Sequence, residues 1–387
     1  MLKILAFTSL FPNSAQPTHG IFVENRLREL AASGKVQLTV VAPVPFFPRS
    51  GNLGGRYAAF ARAPLHEKRH GLDIFHPRYP VLPKIGMAIA PALMAAGVAR
   101  CVRRLCAERR FDLIDAHYFY PDGVAAALLA RRLELPLVVT ARGSDISEIA
   151  QYALPRRQIL WAARRADALV AVCEALKQAM VGLGMKPDTI HVFRNGVDLA
   201  MFRYVPSTSA LGAGLRLLSV GHLVPRKGHD LAIRALAQLP NARLTIVGSG
   251  PEEARLKGLA QSLGLADRVE LAGHVPHEAL AGVYSAADIL VLGSSREGWA
   301  NVLLEALACG TPVVATDVWG TGEVVREPVA GELVAARTPD AVAEAIRRLA
   351  QRAPPRDAVR AYAARFSWNE TTANQLSLFT AVTAGHR

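Results

Sequence analysis

The chain has 387 residues, 51% of them hydrophobic and 20% charged, which excludes a disordered chain and leaves room for two domains with buried cores. Its formal charge of +13 is uneven: residues 1 to 198 hold 26 Lys and Arg against 15 Asp and Glu, net +11, and residues 199 to 387 hold 19 against 17, net +2. The first half therefore attracts phosphates or anionic surfaces, whereas the absence of zinc-finger spacing and of interleaved aromatic and basic runs argues against nucleic acid as a partner.

In chain order, "KILAFTSLF" predicts a strand, a loop ends at His19 and Gly20, and Ile21 to Ala32 reads as a helix. Gly20 before that helix would let a backbone amide approach a phosphate. "VQLTVVAP" is a second strand. From Ile85 to Ala99 the chain is apolar but broken by Gly86, Pro91 and Gly97, too short to span a bilayer, and it runs into Arg100, Arg103, Arg104, Arg109 and Arg110. Two readings stay open: an amphipathic helix lying on an anionic membrane, or a core helix with an arginine-rich solvent face.

"DLIDAHYFYPDG" ends a buried strand at His117, where a side chain would reach a cleft and share a proton or bond a sugar hydroxyl, unless it is structural. Residues 123 to 133 follow as a helix. "LPLVVTARGSD" ends another strand with Arg142, Gly143 and Asp145, a charged pair that would line the cleft or only brace the loop. "ADALVAVCE" closes the first half. Alternating strands and helices of this kind predict a parallel doubly wound sheet.

After "RNGVDLAMFRYVPSTSALGAG", rich in turn residues, the theme restarts with "LRLLSVGHL", "ARLTIVGSGP", "VELAGHV", "ADILVLGS" and "PVVATD", separated by helices at 230 to 238, 252 to 263 and 299 to 308. The boundaries expected are 1–198 for a first domain, 199–365 for a second, and a helix in 366–387 that packs back on the first. The fold class is α/β, two Rossmann-like doubly wound domains facing across a cleft. The four cysteines, Cys101, Cys106, Cys173 and Cys309, form no C-x-x-C pair and no secretory signal precedes the first strand, so reduced thiols and a cytoplasmic location are expected.

Two stretches carry the chemistry. "SVGHLVPRKGHD" sets Gly221, His222, Arg226 and Lys227 around a turn, cations suited to a diphosphate and to the charge that grows as it leaves. "SSREGWANVLLEALACGTPVVATD" has two glutamates, Glu297 and Glu305, with seven residues between them. In a helix they would stand roughly 12 Å apart along the axis, with the amides of Gly298, Trp299, Ala300 and Asn301 at its positive end. One carboxylate on each side of a phosphate bridge would hold hydroxyls; the plainer reading makes Glu297 a first-turn acid and Glu305 a solvated helix residue. Gly248 in "VGSGP" is half a dinucleotide fingerprint, lacking the third glycine.

Taken together and in this order, Gly20, "DAHYFYPDG", "RNGVD", "VGHLVPRKG", "VGSGP", "LAGHV", the E-x7-E pair and "WGTGEVV" resemble glycosyltransferase family 4, retaining enzymes of the GT-B fold, over nearly the whole chain. "TARGSD" and "GHLVPRKGHD" are similar to bacterial transferases of the teichuronic-acid-biosynthesis type. The resemblance implies a nucleotide-diphosphate sugar donor, linked to UDP or GDP, no metal and no other cofactor. Glu305 would hold the ribose, Lys227 the diphosphate and Glu297 the sugar hydroxyls, with His117 beside the transferred sugar. Gly20, Gly221, His222, Arg226, Gly248, His274, Val275, Gly298, Trp299, Ala300, Asn301 and Val302 complete the donor side, and His19, Arg142, Asp145 and Asn195 the acceptor side or cleft. The acceptor implied is a saccharide or lipid-linked hydroxyl in surface polysaccharide or glycolipid synthesis, at the inner face of the membrane, and closure of the domains would exclude water. A sugar-nucleotide epimerase and a silent sugar-nucleotide-binding protein are the alternatives. His222 where relatives often have arginine, Arg142 where many have histidine, and His19 in place of a glycine depart from the family pattern.

Overall fold

The computed structural model describes residues 1–46, 60–82, 86–206 and 214–386; Ile85 and most of the Pro/Ser/Thr/Gly-rich stretch after Val205 lie outside the described residues. The chain divides into two units, Met1–Arg194 with Asn369–Arg387, and Asn195–Trp368.

In the first unit the strands are β1 (Leu2–Phe7), β2 (Val36–Val41), β3 (Val44–Phe46), β4 (His66–Arg69), β5 (Leu72–Phe75), β6 (Arg78–Pro80), β7 (Leu113–His117), β8 (Leu137–Thr140), β9 (Ala168–Ala171) and β10 (Ile190–Val192). Eight of them make one sheet in the order β10-β9-β8-β7-β1-β2-β5-β4, parallel throughout except for the hairpin between β4 and β5; β3 and β6 pair separately. β7, β8 and β9 are buried on both faces, which is why β8 and β9 show no polar alternation, while β7 carries Asp115 and His117 into the buried sheet. The helix Ile21–Ala32 sends Val23, Leu27 and Leu30 into a core with Ile4, Val40 and Ile74, and the C-terminal helix Trp368–Gly385 adds Leu378 and Phe379 to it.

The apolar stretch near residue 90 folds as the helix Ala90–Glu108. Its apolar stripe, Pro91, Met94, Ala95, Val98, Val102 and Leu105, is buried, while Arg100, Arg103, Arg104 and Arg110 are exposed. A Cβ on Gly97 would come within 2.8 Å of backbone atoms of Arg78 and Tyr79, so the helix sits directly on β6. Of the two readings left open, the burial fits the core helix with an arginine-rich solvent face: the protein's own core covers the apolar stripe. Among the described residues no helix is long and apolar enough to cross a membrane.

The second unit contains β11 (Leu215–Val220), β12 (Ala242–Val247), β13 (Val269–Gly273), β14 (Ile289–Leu292), β15 (Val313–Thr316) and β16 (Gly331–Val334), all parallel in the order β13-β12-β11-β14-β15-β16. Leu217, Leu244, Ile246, Ile289 and Val314 meet Leu231, Ile233, Ile346 and Leu349 from the flanking helices His229–Leu236 and Pro339–Arg352. In each sheet the winding reverses beside the first strand of the unit, between β1 and β7 and between β11 and β14. Ligands of open α/β sheets bind beyond the carboxyl ends of strands at such a reversal.

Candidate active site

Within the second unit, the reversal brings the loops after β11 and β14 side by side. Gly221 follows β11 with φ +153°, and the Lys227 side chain folds over it: a Cβ there would lie 3.6 Å from Lys227 Cδ and Cε. Gly248 is as tightly placed, since a Cβ on it would come 1.9 Å from Gly221 O. After β14, Ser295 N–H donates to Arg226 O (2.8 Å) and Arg226 Nη1 donates to Arg296 O (3.2 Å), which ties the two loops together. His222 and His274 are exposed and Val275 is half-buried on the loop after β13.

These ties set Lys227 Nζ 2.6 Å from Glu297 Oε1, and Ser294 Oγ donates to the same oxygen at 2.6 Å. Among the described residues no protein donor reaches Glu297 Oε2. Glu297 is buried, and the ammonium beside it compensates a charge that would otherwise be costly to bury. Glu305 is buried eight positions on, inside the helix Asn301–Ala308, where Tyr284 O–H donates to Oε2 (2.7 Å) and His277 Nε2 lies 3.4 Å from Oε1. Burial, and then the charge of Glu305, push the Tyr284 phenol well above its ordinary value, so it remains a donor at all working pH. A solvated Glu305 is thus excluded.

The helix begins two residues later than the sequence pattern predicts. Ala300 has φ −86° and ψ 84°, outside the helical region, and Asn301 N–H turns back to Trp299 O at 3.1 Å. The expected set of four amides is corrected to three: Gly298, Trp299 and Ala300 have no protein acceptor among the described residues, whereas the Asn301 amide is occupied. Asn301 instead accepts from Asn195 Nδ2 through Oδ1 at 3.2 Å, and Val302 is half-buried in the first turn.

In the first unit, β7 ends at His117 beside β1. The ring is fully buried: Arg142 Nη2 donates to Nδ1 (2.7 Å), and Asp115 Oδ2 lies 3.2 Å from Nε2. Burial lowers the His117 pKa to about 4 against the pull of Asp115, with Arg142 and Arg26 adding to the fall. Asp115 is held below the ordinary carboxylate range, because His117, Arg26 and Arg142 outweigh the cost of burying it. His19 Nε2 contacts Ser9 O at 3.1 Å; Gly20 caps the first helix at φ +73°, where a Cβ would strike Leu10.

Asp145 is corrected. It is fully buried and accepts the amides of Phe119 (2.8 Å), Gly143 (2.7 Å) and Arg142 (3.1 Å), so it braces the loop and is no open carboxylate for an acceptor. Sequence reasoning missed Tyr284, His277, Ser294, Asp115 and Gln375. For Asp115 a signal existed, since residues i and i+2 of a strand share a face with His117; Tyr284 is 21 residues from Glu305 and Gln375 260 residues from Asp115, the side chains they bond, with nothing local to mark them.

Residues 212–366 match the family model described as "Glycosyl transferases group 1", and residues 86–201 match "Glycosyltransferase Family 4". The chain is 30% identical over 362 residues to the putative teichuronic acid biosynthesis glycosyltransferase TuaC of Bacillus subtilis, spanning 90% of this chain and 89% of that protein. It is 35% identical over 303 residues to a D-inositol 3-phosphate glycosyltransferase of Acidothermus cellulolyticus, 70% of this chain and 67% of the relative. Its fold is similar to sucrose-phosphate synthase of Thermosynechococcus elongatus (TM-score 0.81, 21% identity, 100% of both chains) and to Anabaena HepE in complex with UDP (TM-score 0.75, 21% identity, 98% of this chain and 100% of that one). With two parallel-sheet Rossmann-like units and these matches across both, the chain belongs to glycosyltransferase family 4 and has the GT-B fold.

Proposed function

We propose that this glycosyltransferase moves a sugar, with retention of anomeric configuration and without a metal ion, from a nucleotide-diphosphate sugar to a hydroxyl of an anionic or lipid-linked saccharide or polyol. The observation that carries the reading is the pair of buried carboxylates, Glu297 and Glu305, each oriented by its own donors on either side of the amides of Gly298 to Ala300. Glu305 accepts the ribose hydroxyls, with Tyr284 fixing its orientation. Lys227 and the three amides face the diphosphate, and Glu297, through Oε2, accepts from the sugar. In such a site the chemical work is stabilisation of charge on the leaving diphosphate, which takes the proton of the incoming hydroxyl. Arg142, half-buried, and the fully buried His117 bonded to it are the first-unit residues assigned to the sugar and acceptor.

HepE was crystallised with UDP and with UDP-glucose, and this supports a uridine donor. The +11 charge of residues 1 to 198 favours an anionic acceptor, and the relatives named for D-inositol 3-phosphate and for teichuronic acid agree with that class. The test is a thermal-shift screen of UDP, GDP and their sugars, followed by product analysis with inositol phosphates and lipid extracts. One nucleotide diphosphate should raise the melting temperature, and its sugar should be consumed only when an acceptor is added. Conversion of the donor without acceptor would support an epimerase; no nucleotide effect at all would sink the reading.

A further inference from the structure

Four buried polar side chains of the first unit, Arg26, Gln375, Asp115 and His117, and the half-buried Arg142 form one continuous chain of contacts. Arg26 Nε, on the helix Ile21–Ala32, donates to Gln375 Oε1 on the C-terminal helix (3.2 Å), and Gln375 Nε2 donates to Asp115 Oδ2 (3.2 Å). That oxygen faces His117 Nε2 at 3.2 Å, off the line of the ring N–H, and Arg142 Nη2 donates to His117 Nδ1 at 2.7 Å. The direction of every link is fixed by the two ends. A guanidinium only donates and a carboxylate only accepts, so the Gln375 amide has one orientation, Nδ1 of the ring has only the acceptor role, and the proton of the neutral ring stands on Nε2 toward Asp115.

We propose that Arg142, Asp115 and Gln375 are positioning residues that lock His117 as the neutral Nε2–H tautomer, so that the ring never acts as a proton acceptor in the transfer. The proposal rests on the reading of His117 as a residue of the transfer site. The charged groups acting on the ring are Asp115, Arg142 and Arg26; a protonated ring would set three cations around one buried carboxylate, and burial with the two guanidinium groups accordingly lowers its pKa to about 4. In the proposed reaction the proton of the acceptor hydroxyl ends on the leaving diphosphate, so His117 neither gains nor loses one. Gln375 makes the last helix a working part of the first unit, since it lies 260 residues from Asp115 and donates to the oxygen that faces the ring.

The test is a long-range ¹H–¹⁵N spectrum of the full-length protein labelled at histidine, with the His117 signals assigned by their loss in His117→Asn. The parent should show one tautomer, Nδ1 bare and Nε2 protonated, unchanged from pH 8 to pH 5.5. Gln375→Met removes a donor from Asp115 and should move the ring's titration up; Asp115→Asn removes the anion and should move it down; Arg142→Met should release Nδ1 and give mixed tautomers. With a donor and acceptor in hand, Gln375→Met should lower kcat by up to about 10²-fold while the donor KM stays nearly constant, as for a displaced catalytic group. A proton on Nδ1, an imidazolium at pH 7, or a Gln375→Met variant whose ring signals match the parent would overturn the lock, and the parent spectrum decides the first two even if a variant fails to fold. A locked ring in a protein that transfers no sugar would overturn the reaction proposed above and leave the lock standing.

Discussion

Each glutamate of the E-x7-E pair is held by a different kind of donor, and this separates their expected phenotypes. Glu297 is paired with the ammonium of Lys227 and the hydroxyl of Ser294; Glu305 is held by a phenol and an imidazole. Glu305→Ala should abolish the thermal stabilisation given by the preferred nucleoside diphosphate, and binding as tight as the parent's would remove Glu305 from the nucleotide site. Tyr284→Phe leaves a buried carboxylate oxygen without its donor, a loss of about 1–3 kcal/mol in stability, and calorimetry should show weaker nucleotide binding as the carboxylate loses its orientation. Lys227→Met removes a charge aimed at the leaving group and should cost about 10²–10³ in kcat, read in initial-rate assays. The E-x7-E spacing and the Arg226-Lys227 turn were legible because they are local. The Tyr284 and Ser294 donors were not, because a hydroxyl in a helix or a loop carries no sequence mark of what it will touch.

At the scale of elements, the strands announced themselves. Short apolar runs such as "ILVL" and "VVAT" are buried on both faces of a parallel sheet and need no alternation. Helix interiors were equally clear, and only ends moved: His229–Leu236 starts a residue before the expected Asp230 and Asn301–Ala308 two residues after Trp299. Those ends depend on backbone contacts made by loops, here the turn from Asn301 to Trp299, and not on propensity. The glycines at strand ends act through the same contacts. Gly248 sits at φ +146° against Gly221 O, so Gly248→Ala should lower stability by about 1–3 kcal/mol in chemical denaturation and weaken nucleotide binding by shifting the Gly221 turn beneath Lys227. Unchanged nucleotide affinity in a destabilised variant would show that the turn does not depend on that packing.

For the molecule as a whole, buried ionisable groups set how stability responds to pH. Asp122 lies near the end of the segment after β7 and accepts from Ser9 N–H and, at 3.0 Å, from Ser9 Oγ, linking the loop after β1 to the start of the helix Val124–Leu133. Burial, opposed by those Ser9 bonds, raises its pKa from 3.8 to about 7. The folded protein then binds a proton that the unfolded chain releases, so Asp122 contributes stability below about pH 4 that is lost as pH rises through 7. Relative to the parent, Asp122→Asn should therefore gain about 2 kcal/mol between pH 5 and pH 7, whatever its constant offset, in denaturant melts at each pH. A flat difference would show that Asp122 is ionised in the folded state.

What the sequence determined by itself was the kind of architecture and the local chemistry: parallel sheets, two Rossmann-like units, the cations after Gly221 and the paired carboxylates. These depend on periodicity and on spacings of a few residues, which a chain displays before it folds. The tertiary structure alone decided which loops lie together, because the reversal of strand order sets β14 beside β11 and β7 beside β1, and which donors meet each buried charge. Tyr284 on Glu305 and Gln375 on Asp115 are pairings between distant positions, made by helices docking on a sheet, and a buried carboxylate selects its partner by geometry that no short stretch of residues contains.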